Sequence, residues 1–141
     1  MSLAFHQIGE TYYLRLDPGA EVVDCLRQFA AAHDIAAASF SGFGAVKAVT
    51  LGFFQPDSKL YQQRKFQGTF EITSLLGNVS RLETQTYVHA HGNFSGADFQ
   101  VFGGHLVAAT VSATVEICLR QDPGELKRRF DAKIGLNIYD F

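Results

Sequence analysis

The stretch Tyr87–Leu119, YVHAHGNFSGADFQVFGGHLVAATVSATVEICL, decides the fold class. Its outer parts, Tyr87–Phe94 and Leu106–Leu119, are rich in aromatic and β-branched residues, which favour β-strands. Between them, Ser95–Asp98 (SGAD) has the residue types of a tight turn. Together with the short apolar segment Gln100–Phe102, this pattern predicts a β-hairpin within an antiparallel sheet.

The rest of the chain adds one helix and further strands. Residues Ala20–His33 place Val22, Leu26 and Phe29 on one face at helical spacing, which predicts an amphipathic helix. The sequence Asp-Pro-Gly before this helix ends the preceding strand. The remaining predicted strands are Thr11–Leu16, Ala36–Ser41, Val46–Phe54, Leu60–Phe66 and Phe70–Leu76, with turns at Ser41–Gly44, Gln55–Ser58 and Gly77-Asn78 and a closing segment at Ile134–Ile138.

These elements predict a single α+β domain over residues 1–141, with its core in residues 11–141. One main helix and seven or eight strands joined by short turns favour a curved, mostly antiparallel sheet with the helix packed on it. Hydrophobic residues make up 47% of the chain and include thirteen phenylalanines, which excludes a disordered protein. The N-terminus lacks a signal peptide pattern, and no apolar run reaches the roughly 18 residues of a membrane span. We therefore expect a soluble protein of the cytoplasm.

The charge distribution argues against a large nucleic-acid interface. The formal net charge is −2, whereas domains that bind phosphates usually carry a basic excess or stripe. Acidic neighbours dilute the one basic cluster, which favours a solvated face over a DNA-binding surface. This cluster consists of Lys127, Arg128, Arg129 and Lys133.

The two cysteines, Cys25 and Cys118, fall in the predicted helix and in an interior strand. No Cys-x-x-Cys is present. Two buried, reduced thiols are favoured over a disulfide.

A histidine pair carries the strongest chemical signal. In His89-Ala90-His91 the two imidazoles share one face of a predicted strand, because side chains alternate between faces. Their Cα atoms are expected about 6.6–6.8 Å apart. Both rings can then reach one metal ion at about 2.0–2.1 Å.

Hairpin geometry supplies His105 as a third candidate ligand. A three-residue loop at Gly96–Asp98 places His89 opposite His105, with His91 two residues along on the same face. The three imidazoles would leave a fourth position for water or substrate, as in catalytic zinc sites. A two-residue loop instead puts His105 on the other face, unless a bulge at Gly103-Gly104 restores it.

Other interpretations of the polar residues remain open at this point. The three histidines also fit a polar outer face that meets only water. Glu71 and Glu116 lie in apolar strands, where a solvent-facing position is favoured over a role as general base or as a partner of the metal ligands. His33 fits a structural place in the last helical turn. His6 is assigned no role.

Several motifs occur together in one order along the chain. They are Ser41–Val46 (SGFGAV), Phe70–Asn78 (FEITSLLGN), His89–His91 (HAH) and Phe102–Leu106 (FGGHL). This order resembles the PPC domain, the "plants and prokaryotes conserved" family, in its stand-alone prokaryotic form. The resemblance covers roughly Tyr13–Phe141.

The resemblance implies an antiparallel sheet with a helix, assembly into homotrimers and a zinc site at His89, His91 and His105. Plant relatives join this domain to AT-hooks, which insert arginine into the DNA minor groove, but the chain contains no Arg-Gly-Arg-Pro. We therefore expect a trimeric protein that binds a divalent metal, zinc, through the three histidines, with a small molecule as ligand at the metal. The alternative is a DNA-binding or transcription-regulatory protein. The sequence leaves open whether the protein is an enzyme.

Overall fold

A computed structural model describes residues 2–141. It contains one helix and eight strands in a single sheet. The strands are β1 (Leu3–Ile8), β2 (Thr11–Leu16), β3 (Ala38–Gln55), β4 (Leu60–Leu82), β5 (Gln85–Ser95), β6 (Val101–Gln121), β7 (Lys127–Asp131) and β8 (Leu136–Tyr139), and the helix is α1 (Val22–Ala32). The predicted α+β class, with a mostly antiparallel sheet and one main helix, is confirmed.

The sheet closes on itself around four of its strands. Its order is β1-β2-β6-β3-β4-β7-β8, and β5 pairs with both β4 and β6. Strands β3, β4, β5 and β6 thus form a closed circuit, from which β1–β2 and β7–β8 extend. All strand pairs are antiparallel except β4–β7. Closure removes most of the exposed edges of these long strands.

Strands β3 and β4 continue through glycines at which the sequence pattern predicts turns. The turns predicted at Ser41–Gly44 and Gly77-Asn78 are wrong, because β3 and β4 run through both positions. Register shifts in β3 near Gly42 bend the strand without ending it. At Gly77 a Cβ atom would collide with the carbonyl oxygen of His89 and the ring of Phe40. Glycine at this position therefore allows β4 and β5 to approach each other closely.

Two strands are absent from the prediction. Strand β1 pairs with β2 from Leu3–Leu16 to Ile8–Thr11, but most of its side chains are exposed, so it has no alternating apolar pattern. Strand β7, KRRFD, is too polar to be recognised as a strand, and it carries part of the basic cluster.

The helix packs one face on the sheet, as predicted. Val22, Leu26 and Phe29 are almost fully buried. Glu21 caps the N-terminus, where its carboxylate accepts hydrogen bonds from two backbone amides of the first turn. His33 caps the C-terminus with its ring stacked 4.1 Å from that of Phe29, which agrees with a structural place for this histidine.

The cysteines are both free, but only Cys25 is buried. The prediction that Cys118 is buried is wrong. Ile117 and Leu119 point into the core, so Cys118 between them must point outward. Within residues 2–141 no helix is long and apolar enough to cross a membrane.

Candidate metal centre

The three candidate histidines lie together on the outer face of the sheet, on β5 and β6. His91 and His105 are direct partners in the β5–β6 ladder. His89 is two residues from His91 on the same face of β5. Strand β4 supports this part of β5 from the other side, with Asn78 opposite His89.

The imidazoles converge on one point. Ring centroids are 5.2 Å apart for His89 and His91, 5.2 Å for His89 and His105, and 5.5 Å for His91 and His105. One ring nitrogen from each histidine lies within 4.8 Å of the others. Nitrogens bound tetrahedrally to one ion stand roughly 3.3 Å apart, so small side-chain rotations bring all three within bonding distance. No other such group of three or more His, Cys, Asp or Glu occurs in residues 2–141.

The pairing differs from the predicted register by two residues. Ser95 pairs with Val101, so the loop comprises the five residues Gly96–Gln100 instead of three. His91, and not His89, therefore faces His105. A shift of two keeps every side chain on its original face, so the three histidines still meet. The alternative two-residue loop is wrong, and the β5–β6 ladder contains no register shift at its glycines.

The surroundings of the site favour neutral imidazoles. His89 and His105 are half-buried, whereas His91 is exposed. Burial, with the nearby charges of His105, Arg128 and His91, lowers the pKa of His89 to about 4. Burial and the proximity of His91 also lower the pKa of His105. Neutral imidazole is the form that binds metal. His89 and His105 can therefore bind a metal ion near pH 7 without first releasing a proton.

One ring nitrogen has no partner within the described residues. Nδ1 of His105 is buried and makes no hydrogen bond. A buried nitrogen without a partner is costly unless a ligand satisfies it. The three-imidazole donor set fits a divalent metal ion such as zinc, and no hydrogen-bond partner within residues 2–141 competes for this ring nitrogen.

A cleft opens beside the site. It has a volume of about 260 Å³, and its lining includes His105, Tyr61, Tyr87 and Asn137. The Tyr61 ring lies 5.4 Å from that of His105. Burial and the nearby Tyr87 raise the pKa of the Tyr61 phenol, so Tyr61 offers a neutral hydroxyl group. Gly52 on β3 pairs with His105 on β6. A Cβ atom at position 52 would lie 3.3 Å from the imidazole, so glycine leaves this side of the ring uncrowded.

Arg128 is the residue near the site that sequence reasoning missed. It was expected on a solvated basic face, but it is 8% exposed, and its guanidinium carbon lies 4.3 Å from the ring centroid of Tyr139 on β8. Its guanidinium carbon is 5.3 Å from the ring centroid of Tyr87, two residues before His89. No sequence pattern separates it from the exposed Lys127 and Arg129 on either side.

The two acidic residues considered as a general base lie away from the centre. Glu71 pairs with Ser95 at the far end of β5, and Glu116 pairs with Arg15 on β2. Both side chains are exposed, which confirms the solvent-facing interpretation.

Comparisons with solved structures show close relatives across the whole chain. A "putative DNA-binding protein" from Bacteroides thetaiotaomicron has 31% identity and a TM-score of 0.97, with 100% of this chain and 99% of that chain covered. The metal-containing protein of Archaeoglobus fulgidus has 32% identity and a TM-score of 0.86, with coverages of 98% and 99%. A plant- and prokaryote-conserved protein from Pyrococcus horikoshii has 30% identity and a TM-score of 0.87, with coverages of 99% and 94%.

A comparison with curated proteins found no match. The sequence matches the Plants and Prokaryotes Conserved domain, abbreviated PCC or PPC, over residues 4–121. This match includes all three histidines of the cluster. The chain therefore belongs to the Plants and Prokaryotes Conserved domain family.

Proposed function

We propose that the protein binds one divalent metal ion, zinc, through His89, His91 and His105. The observation that carries this proposal is the convergence of three imidazoles, with Nδ1 of His105 buried and unpartnered. The metal-containing relative from Archaeoglobus fulgidus supports it at 32% identity over nearly the full chain. Imidazole ligands suit zinc, and three of them match the ligand number of open zinc sites.

The fourth position at the metal is available to a small-molecule ligand. Zinc bound in this way polarises a carbonyl or lowers the pKa of a bound water to about 7. The protein's own contribution is the adjoining cleft, where the hydroxyl groups of Tyr61 and Tyr87 can orient a ligand next to His105. The proposal covers binding of metal and ligand, and it assigns no reaction.

We also propose that the protein assembles as a homotrimer, as its family resemblance implies. The outer face of the sheet carries large exposed apolar side chains, with Tyr13 at 50%, Phe43 at 61% and Leu76 at 59% exposure. Leu76 is the β4 partner of His91, so this apolar face reaches the metal centre. Large apolar side chains exposed on one face of a sheet are typical of subunit interfaces.

Metal content per chain tests the proposal. Protein purified without an affinity tag is expected to contain close to one zinc per chain by inductively coupled plasma mass spectrometry, and His91→Ala to contain none. Zinc at full stoichiometry in the variant, or no metal in the wild type, would disprove the site. Light scattering of the same samples gives the oligomeric state, and a monomer would rule out the trimer.

DNA binding is the second candidate function. The names of relatives such as the Bacteroides thetaiotaomicron protein favour it. The charges favour it less, because Arg128 is buried and Arg129 pairs with Asp131 and Asp140. Fluorescence anisotropy with duplex DNA at low and moderate salt tests it. Binding that weakens steeply with salt would support this function, and no binding at low salt would remove it.

A further inference from the structure

Arg128 is a buried cation without a counter-ion. All three of its hydrogen bonds go to neutral acceptors, namely Nε to Oγ of Ser80 at 2.9 Å, Nη1 to the carbonyl oxygen of Asn137 at 2.9 Å, and Nη2 to Oδ1 of Asn78 at 3.0 Å. Within residues 2–141 no Asp or Glu oxygen lies within 4.0 Å of its guanidinium nitrogens.

Other arginines of the chain show the contrast. Arg27 and Arg129 are about half-exposed, and each has a carboxylate partner. Arg81 is largely buried, and it donates to Asp34 at 2.6 Å. Buried charges in proteins are normally paired, because neutral dipoles solvate a charge without neutralising it. Arg128, the most buried of these four, is the one without a carboxylate.

The guanidinium group has hydrogen-bonding capacity left. It carries five N–H donors, and the three hydrogen bonds leave two of them without an acceptor. The rings of Tyr139 and Tyr87, with centroids 4.3 Å and 5.3 Å from the guanidinium carbon, stabilise the charge without supplying an anion. A planar group with two free donors and no anionic partner suits a carboxylate better than it suits a neutral ligand.

Arg128 belongs to the same face of the sheet as the histidines. Its acceptors Asn78 and Ser80 are the β4 partners of His89 and Tyr87 on β5. Tyr87, whose ring lies 5.3 Å from the guanidinium carbon, lines the cleft that His105 borders. Arg128 does not itself line the cleft, but two of its contacts, Tyr87 and Asn137, do. The positive charge therefore lies directly behind the cleft wall, beside the strand that carries two of the three imidazoles.

We propose that the ligand of the metal centre is a small organic acid, whose carboxylate Arg128 attracts while another oxygen of the molecule occupies the open metal position. This inference rests on the proposed metal site and adds the class of ligand. The cleft of about 260 Å³ limits the ligand to a small molecule. Tyr61 and Tyr87 also line the cleft, and their hydroxyl groups can donate hydrogen bonds to such a ligand.

Anion binding to the cobalt(II)-loaded protein tests the proposal. Malonate serves as probe, malonamide as its neutral counterpart, and inorganic phosphate as the other anion class, with visible absorption of cobalt as readout. Malonate is expected to change the spectrum at concentrations at which malonamide and phosphate do not. A phosphate response equal to that of malonate would overturn the assignment to organic acids.

Arginine variants locate the recognition. Arg128→Gln is expected to weaken malonate binding roughly ten- to hundredfold, the range of a charge-assisted hydrogen bond. Arg128→Lys keeps the charge and is expected to lose less. Arg129→Gln, the exposed neighbour, is the matched control and should bind malonate like the wild type. Equal malonate affinity in Arg128→Gln and wild type would overturn the inference while leaving the metal site intact.

Two further outcomes are distinguished. If wild-type protein gives no cobalt spectrum, the metal site itself fails, and this inference fails with it. If Arg128→Gln does not fold, the wild type still decides the matter by nuclear magnetic resonance. The Nε–H signal of Arg128, assigned by its absence in Arg128→Lys, should shift with malonate and not with malonamide, and an unmoved signal would overturn the proposal.

Discussion

His91 lies directly opposite His105 in the antiparallel ladder of β5 and β6. Side chains paired in this way have Cβ atoms about 4.5–5.5 Å apart. The pairing brings imidazoles from two strands together, whereas the His-x-His motif supplies both of its imidazoles from one strand. A metal ion at this position would therefore bind both sides of the hairpin.

Loss of His105 should weaken metal binding strongly. Removing a residue that only hydrogen-bonds to a metal ligand typically weakens metal binding 10- to 100-fold. We expect His105→Ala, which removes a ligand itself, to weaken zinc binding more than about 100-fold in a competition titration with a chelator of known affinity. His6→Ala, at an exposed position of β1, is the control and should bind zinc like the wild type. A loss of less than tenfold in His105→Ala would contradict the ligand assignment.

Acid should destabilise the metal-free protein through His89. Its pKa is about 4 in the fold and near 6.5 in the unfolded chain. Between these values the unfolded chain binds the extra proton, so the free energy of unfolding falls as pH falls from 6.5 to 4. His105, with its pKa shifted in the same direction, adds to the effect.

Urea unfolding at several pH values between 7 and 4 measures this dependence. Other groups titrate in the same range, so the informative quantity is the difference between wild type and His89→Gln. The variant should lose less stability over the window, whereas His6→Gln should match the wild type. Parallel curves for wild type and His89→Gln would show that burial does not disfavour the protonated form of His89.

Zinc should stabilise the fold in proportion to its affinity. Because the three imidazoles come together only in the folded protein, free zinc at 100 times its dissociation constant should add about 2.7 kcal/mol to the free energy of unfolding. Thermal unfolding with and without zinc measures the gain, and chelator should reverse it. The His105→Ala variant should show no gain, and an equal rise in that variant would indicate zinc binding elsewhere.

A side chain at Gly77 should damage the support of the site. The Cβ of Gly77→Ala would collide with the carbonyl oxygen of His89 and the ring of Phe40, and both are held in place by their strands. We expect a loss of about 1–3 kcal/mol in urea unfolding, together with weaker zinc binding. Gly96→Ala is the control, because its Cβ would meet only ordinary contacts at 3.6 Å or more. Equal stability of the two variants would show that β4 and β5 can separate at little cost.

The face of each histidine could be predicted from sequence, but the register could not. Alternation along a strand puts His89 and His91 on one side whatever the loop does. The partner of His105 depends on loop length, and Phe99, a non-glycine residue at φ +60°, extends the loop beyond its obvious turn residues. The predicted register was wrong by two residues, and an even shift leaves every side chain on its own face. The prediction of the three-histidine cluster therefore still holds.

The strand breaks and Arg128 were missed for physical reasons of their own. Glycine has the same local signature in a turn as where two strands approach closely, and Gly77 is of the second kind. Arg128 is buried by contacts with Ser80 and Asn78, which are 48 and 50 residues away in sequence. Local patterns carry no information about such distant acceptors, so Arg128 looked like its exposed neighbours.

Because the sheet is closed, the histidine cluster lies where two of its strands separate. Strands β5 and β6 pair over only five residues each, from His91–His105 to Ser95–Val101. Beyond His105, β6 continues along β3, while β5 leaves it alongside β4. His89 lies on β5 just beyond the last residue that pairs with β6. A metal ion shared by His89 and His105 would therefore hold the two strands together at the point where they separate. Local unfolding of the β5–β6 ladder would then have to begin at the Gly96–Gln100 loop. From the other end, the rate of metal release would limit the rate at which the two strands separate.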